Sequence, residues 1–180
     1  MSLTQVQTGM VADAAITTAK VQDAAVTTAK IQDAAVTQSK MGSNVAGNGP
    51  TFAYGPGGSN QNLSQAVWTK VTMFTSLGWD TTSGMYSSNR FTPTVAGYYF
   101  ITAASVLSSA NGQLCIYKNG SGTGTYVNAV SGGWMRTSGI LYLNGTTDYI
   151  EIYAYAADAS QYLISNGGLS TFQACLIRSA

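Results

Sequence analysis

The chain has 180 residues, 45% of them hydrophobic and only 8% charged, with eight Lys and Arg against seven Asp and Glu for a formal charge of +1. So few charges leave no basic stripe able to neutralise several phosphates, which argues against a nucleic-acid partner, and high hydrophobicity with near-zero net charge excludes a disordered chain. Histidine is absent, which removes the commonest general base, the Ser-His and Cys-His nucleophile pairs and most zinc sites. The length suits one ordinary domain plus an appendage. The expectation is a binding or structural protein with no catalytic residue, no cofactor and no metal.

The opening, Met1 to Met10, has no basic start and no apolar run, and no later stretch approaches the roughly 18 apolar residues that span a bilayer. Neither signal-directed export nor membrane insertion is expected. Residues 11–40 then form three ten-residue repeats, each closed by Lys20, Lys30 or Lys40 and carrying Asp13, Asp23 or Asp33. Branched apolar residues recur every five positions, at Val11, Ile16, Val21, Val26, Ile31 and Val36, and Met41 continues the series. On a helix five residues rotate by about 140° beyond a full turn, and on a strand an odd step changes face, so a simple coiled coil is not expected. The spacing fits a chain that turns once per pentad, or a symmetric fibre whose two stripes face different neighbouring chains. With a period of ten, Val11, Val21, Ile31 and Met41 fall on one side, and Ile16, Val26 and Val36 on the other. Three short units cannot bury these residues alone, which predicts a homo-oligomer, with threefold symmetry the leading choice.

All three Trp, eleven Tyr and five Phe lie after Thr51. We therefore divide the chain into a repeat stalk over 1–41, a Gly/Pro-rich linker or collar over 42–58, and a globular part over 59–180 whose first strand could begin as early as 51. Beyond Phe52, Val-, Ile-, Tyr- and Thr-rich runs alternate with Gly, Asn and Ser clusters, the pattern of an all-β sandwich or barrel. Strands are predicted over 66–75, 85–91, 98–107, 113–118, 125–130, 137–143, 149–155 and 171–177. Turns are predicted at Asn119-Gly120 and Asn144-Gly145. Cys115 and Cys175 sit in apolar runs and read as free thiols of a protein folded in a reducing compartment. In 149–155, Ile150, Ile152 and Ala154 point one way, while Tyr149, Glu151, Tyr153 and Tyr155 point the other. The Ile side reads as core, and the Tyr149, Tyr153 and Tyr155 side as a subunit interface. Asp80, Asp148 and Asp158 are isolated and make no oxygen cage for a metal.

The run from Phe91 to Ile101 resembles the F-x-P-x-x-x-G-x-Y-x-F signature of the C1q/TNF-like jelly roll, through Phe91, Pro93, Gly97 and Tyr99, with Ile101 in place of the usual Phe. The resemblance continues in order through Leu114 to Gly120, a strand ending in an Asn-Gly hairpin. Next come Leu141 to Ile152, with a lengthened Gly-to-Asp step, and Ser170 to Ile177, with Ala174 for the usual Gly. It implies a jelly roll that assembles as a compact trimer. The repeats, with Leu3 to Gln5 and Thr8 to Met10 before them, resemble the A-V-T-x-x-K decapeptides found at the N-termini of tailed-bacteriophage fibre proteins. That resemblance implies a virion protein made in the host cytoplasm and exposed on the particle. Its N-terminal repeats would dock to a tail or capsid protein, and its knob would contact a host-surface glycan or protein. Trp79, Tyr86, Tyr126, Trp134 and Tyr162 are the aromatic candidates for receptor contact. The alternative is a head fibre or capsid decoration trimer without a specific receptor. A glycan-cleaving enzyme is disfavoured, because outside the repeats the chain offers only Asp80, Asp148, Glu151 and Asp158, whereas glycosidases place two carboxylates across a sugar.

Overall fold

The chain divides into two compact units, Met1–Met41 and Gly42–Ala180. The structure, a computed structural model, describes residues 49–180 apart from 83, 110, 129–132, 166 and 167, with the backbone only for 125–128. Of the first 48 residues it describes 16, 17, 19, 21, 25–27, 31, 32, 35–37, 40 and 41.

The C-terminal unit is built from strands β1 (Thr51–Pro56), β2 (Gln61–Asn62), β3 (Thr69–Lys70), β4 (Phe74–Asp80), β5 (Tyr86–Ser87), β6 (Arg90–Phe91) and β7 (Gly97–Val106). They are followed by β8 (Gly112–Lys118), β9 (Ser121–Asn128), β10 (Trp134–Leu143), β11 (Ile150–Ala156), β12 (Tyr162–Leu163) and β13 (Thr171–Ser179). Five of them form one sheet in the order β10-β7-β13-β1-β4. A second sheet runs β5-β6-β11-β8-β9, with β3 also paired to β11, and β12 pairs with β2. All named pairings are antiparallel.

Side-chain alternation decides which faces meet. In β7, Gly97, Tyr99, Ile101 and Ala103 are buried while Tyr98 and Phe100 are exposed. In β11, Ile150, Ile152 and Ala154 turn inward as the period-two pattern predicts. Between the sheets lies an aromatic centre. Phe52 packs edge-on against Phe172 (5.2 Å between centroids) and lies 4.9 Å from Phe91 and 4.7 Å from Tyr86. Ile101, Leu114, Ile116, Met135, Leu143 and Ile152 surround it.

The Phe91 to Ile101 signature has a direct physical meaning in this core. Phe91 and Tyr99 meet edge to face at 5.3 Å, and the Tyr99 hydroxyl donates to the Val95 carbonyl at 2.9 Å, closing the loop between β6 and β7. Gly97 allows β13 to pass so close that a Cβ there would stand 2.4 Å from the Arg178 carbonyl.

Two expectations change. The predicted strand over 66–75 is broken, because Ala66 takes a positive φ of 58° and the chain crosses between sheets after Lys70. β3 pairs with β11 in one sheet and β4 with β1 in the other. The run over 85–91 folds into two short strands joined through Ser88 and Asn89, both left-handed at φ 52° and 55°. The Gly/Pro-rich segment 42–58 holds β1, an interior strand between β13 and β4. It ends at Gly55 and Pro56, and its Phe52 is fully buried.

In the N-terminal unit the backbone bends at Ile16, Val21, Val26, Ile31, Val36 and Met41, once per pentad. Where the hydrogen bonds are described they close tight turns between successive bends. The Ala35 N–H donates to Gln32 O, and the Lys40 N–H to Thr37 O, both at 2.9 Å.

Candidate assembly and binding surfaces

The outward face of the five-stranded sheet carries large apolar groups that are exposed among the described residues. Register places Ile140, Phe100 and Cys175 in one row, and Tyr142, Tyr98 and Arg178 in the next. Ile140, Tyr142, Tyr98, Phe100 and Ile177 are exposed there, and so are Leu77 and Trp79 on β4. The Tyr98 and Tyr142 rings touch at 5.5 Å. Further along, Ser138, Thr102 and Gln173 align as a polar row. Near β4 a hollow of about 370 Å³ opens between Leu77, Trp79, Tyr54 and Gln173. Several large exposed apolar side chains on one sheet face are the mark of an interaction surface, not of idle solvent surface.

The outward face of the second sheet is organised differently. Glu151 is nearly buried, its side chain 3% exposed, and its Oε1 accepts from Lys70 Nζ at 2.7 Å and Arg90 Nε at 2.8 Å. Burial works against its charge, but the hydrogen bonds and charges of Lys70 and Arg90 outweigh it and hold the carboxyl below its ordinary range. Around this carboxylate Tyr153 stacks on Tyr117 at 4.0 Å, Trp68 lies 5.5 Å from Tyr155, and the Arg90 guanidinium sits 4.0 Å over Tyr149. Tyr149, Tyr153 and Tyr155, expected at a subunit interface, are therefore half-buried and engaged by their own chain. Trp68, Lys70 and Arg90 reach this face from other elements of the chain.

The two Asn-Gly turns come together at Asp148. Its Oδ1 accepts from Asn119 Nδ2 at 2.7 Å, and its Oδ2 accepts from the Asn144 N–H at 3.0 Å and Lys118 Nζ at 2.9 Å. These bonds, first from Asn119 and then from Lys118, lower the Asp148 pKa. Asp80 accepts from Tyr54 and Thr82, and Asp158 from Asn111. Among the described residues no group of three or more His, Cys, Asp or Glu is arranged to hold a metal.

The five aromatic receptor candidates are scattered. Trp79 and Trp134 are exposed at opposite edges of the five-stranded sheet, on β4 and β10. Tyr86 lies in the core, 7% exposed, stacked on Tyr54 at 4.1 Å, with its hydroxyl donating to Phe74 O at 2.8 Å. Burial pushes its phenol pKa far up, and this position leaves no surface for a ligand. The Tyr126 side chain lies outside the described residues. Tyr162, half-buried on β12, pairs with Asn62 of β2. Asn62 lines a second hollow, about 390 Å³, together with Ser59, Asn60, Gln61, Thr72 and Thr75. Gln61 is fixed by donating to Lys70 O and accepting from the Thr72 N–H, both at 2.7 Å. Asn60 is fixed by accepting from the Ser165 N–H. Sequence reasoning missed this hollow, because its members are ordinary loop residues until β2 is brought beside the segment from Thr72 to Thr75. Of the anchor candidates, Val11 lies outside the described residues, while Ile16, Val21, Val26, Ile31 and Val36 are all exposed.

Sheet order, register and core together define a jelly-roll sandwich of the C1q/TNF type. Among solved structures, the TNF protein Eiger from S. frugiperda is similar over 72% of this chain and 93% of its own, at 10% identity and a TM-score of 0.55. Murine APRIL is similar over 69% and 96%, at 10% identity and a TM-score of 0.53. The globular domain of zebrafish complement 1qA protein matches over 73% and 100%, at 20% identity and a TM-score of 0.47. No protein-family model matches the chain, and no curated protein matches it.

Proposed function

We propose that the protein is a bacteriophage virion fibre, a homotrimer whose repeats dock to a tail or capsid protein and whose jelly-roll knob contacts the host surface. The observation that carries the self-association is the uncovered apolar face of the five-stranded sheet, with Tyr98, Phe100, Ile140, Tyr142 and Ile177 on it. Burying such rings against another copy stabilises by about 25 cal/mol per Å² of apolar surface removed from water. The decapeptide repeats, and the opening at Leu3 to Met10, support the virion role.

If that sheet face is closed by other copies, Trp79 and Trp134 belong to assembly, and host contact falls to surfaces away from it. The hollow beside β2 suits a glycan. Its lining is hydroxyl and amide groups together with Gly57 and Met73, without a charged group, matching the donors and acceptors of a sugar, and Tyr162 on the neighbouring strand offers a ring. The test is competition for adsorption, using purified full-length protein against intact phage. Occupancy of host cells that blocks infection, and is lost in Asn62→Ala with Tyr162→Ala, is the expected result. Normal adsorption in the presence of saturating protein would point instead to decoration of the particle.

A further inference from the structure

The outward face of the second sheet holds a cation in place without neutralising it. Lys70 and Arg90 share one oxygen of Glu151, whose side chain is 3% exposed, so this cluster keeps one positive charge in excess. The other acid of the region, Asp148, is already paired with Lys118. Arg90 is the outer member, its side chain 45% exposed against 26% for Lys70. Among the described residues it makes a hydrogen bond only through Nε, which leaves both terminal NH2 groups without a protein partner. Its guanidinium also lies 4.0 Å over the Tyr149 ring. A side chain held by an ion pair and by a ring has little rotamer freedom left to lose on binding. The stacked rings of Tyr117 and Tyr153 stand on the same face, half-buried.

We propose that this face binds the carboxylate of an acidic sugar, with the Arg90 fork on the carboxylate oxygens and the rings of Tyr149 and Tyr153 against the pyranose. The inference rests on the host-contact reading above and names its ligand class, an acidic glycan. Charge complementarity selects the occupant. One excess positive charge matches one carboxylate, and the planar guanidinium bonds both of its oxygens at once. The neighbouring rings match the flat C–H face of a sugar, which a polyol phosphate does not offer. The Lys70 carbonyl accepts from Gln61, a lining residue of the hollow beside β2. Cluster and hollow therefore adjoin through Lys70 and suit successive sugars of one chain. Both lie away from the apolar face of the five-stranded sheet, so assembly leaves them open.

The test is calorimetric titration of the full-length protein with matched oligosaccharides. Galacturonic acid trimer is compared with galactose trimer, and sialyllactose with lactose, with a glycerol phosphate trimer as a third anion. The expected result is about tenfold tighter binding of an acidic sugar than of its neutral partner, lost in Arg90→Gln with an unchanged circular dichroism spectrum. Arg90→Lys keeps a charge to pair with Glu151 and loses the fork, so it makes the same test in a protein whose ion pair survives. It should weaken acidic binding about threefold or more. Acidic and neutral sugars bound alike, or an acid preference that survives both substitutions, overturn the carboxylate site and leave glycan contact through the hollow standing. Tighter binding of the glycerol phosphate than of either acidic sugar also overturns it, in favour of a phosphate. No sugar bound by a protein that still blocks phage adsorption overturns the glycan reading as well. No sugar bound and no block overturn host contact itself.

Discussion

Asn144 and Asp148 show how a few side chains fix the rim of the knob. Asn144 Oδ1 accepts from the N–H groups of Thr146, Thr147 and Asp148 at 3.0, 3.0 and 2.9 Å, which folds the turn around Gly145. Gly145 has φ +71°, and a Cβ there would stand 2.5 Å from the Ala96 nitrogen. Gly145→Ala should therefore cost about 2 kcal/mol or more, combining left-handed strain with a backbone clash, measurable by chemical denaturation. Glu151→Gln removes the charge shared by Lys70 and Arg90. With Arg90 45% exposed, the cost should be about 1–2 kcal/mol, below that of a fully buried pair. The pKa values of Glu151 and Asp148 are both depressed by folding. Their stabilisation is complete above the unfolded carboxyl values, about 4, and is lost as pH falls through the lower folded ones. Thermal unfolding from pH 7 to pH 2 should show a falling midpoint below about pH 4, with a shallower fall in Glu151→Gln.

Among the elements, the two sheets make opposite predictions for similar substitutions. Phe100→Asp places a charge in the middle of the uncovered apolar row and should dissociate the assembly with the fold retained. Tyr153→Asp breaks a ring stack within one chain and should cost about 1–2 kcal/mol while leaving the assembly size unchanged. Light scattering with circular dichroism separates the two, and a monomeric Tyr153→Asp beside an intact Phe100→Asp would move the interface to the second sheet. Cys175, in the Phe100 row and half-buried in one chain, should alkylate slowly in the assembly and readily in the Phe100→Asp protein. β7 was legible in the sequence because Tyr99, Ile101 and Ala103 alternate with outward residues, and β11 because Ile150, Ile152 and Ala154 keep the same period. β4 was not, since five of its seven residues are exposed and two register shifts interrupt its pairing with β1. The β5–β6 turn was equally hidden, because Ser88 and Asn89 take left-handed angles without a glycine to announce them. Of the candidate site residues, Tyr86 looked like a surface ring because its partners Phe52, Tyr54 and Phe172 come from β1 and β13, distant in sequence.

For the whole molecule, the break between Met41 and Gly42 separates two kinds of stability. The C-terminal unit has its own aromatic core, while the described apolar residues of the repeats remain exposed in a single chain. Deleting residues 1–41 should thus leave a folded, self-associating knob that fails to enter particles, as judged by light scattering and by protein analysis of purified virions. Incorporation at the normal level would remove the anchoring role from the repeats. The composition of the sequence changes ten residues further on, since every aromatic residue follows Thr51.

The position of β1 has a mechanical consequence. It is the first strand after the repeats, and it lies inside the sheet, with four residue pairs to β13 on one side and five to β4 on the other. A pull on the N-terminal segment reaches the knob through a strand gripped along both edges. Load entering there is shared by two rows of hydrogen bonds at once, whereas an edge strand would peel one bond at a time. The knob should therefore resist force applied through its N-terminus better than force applied through an edge strand such as β10.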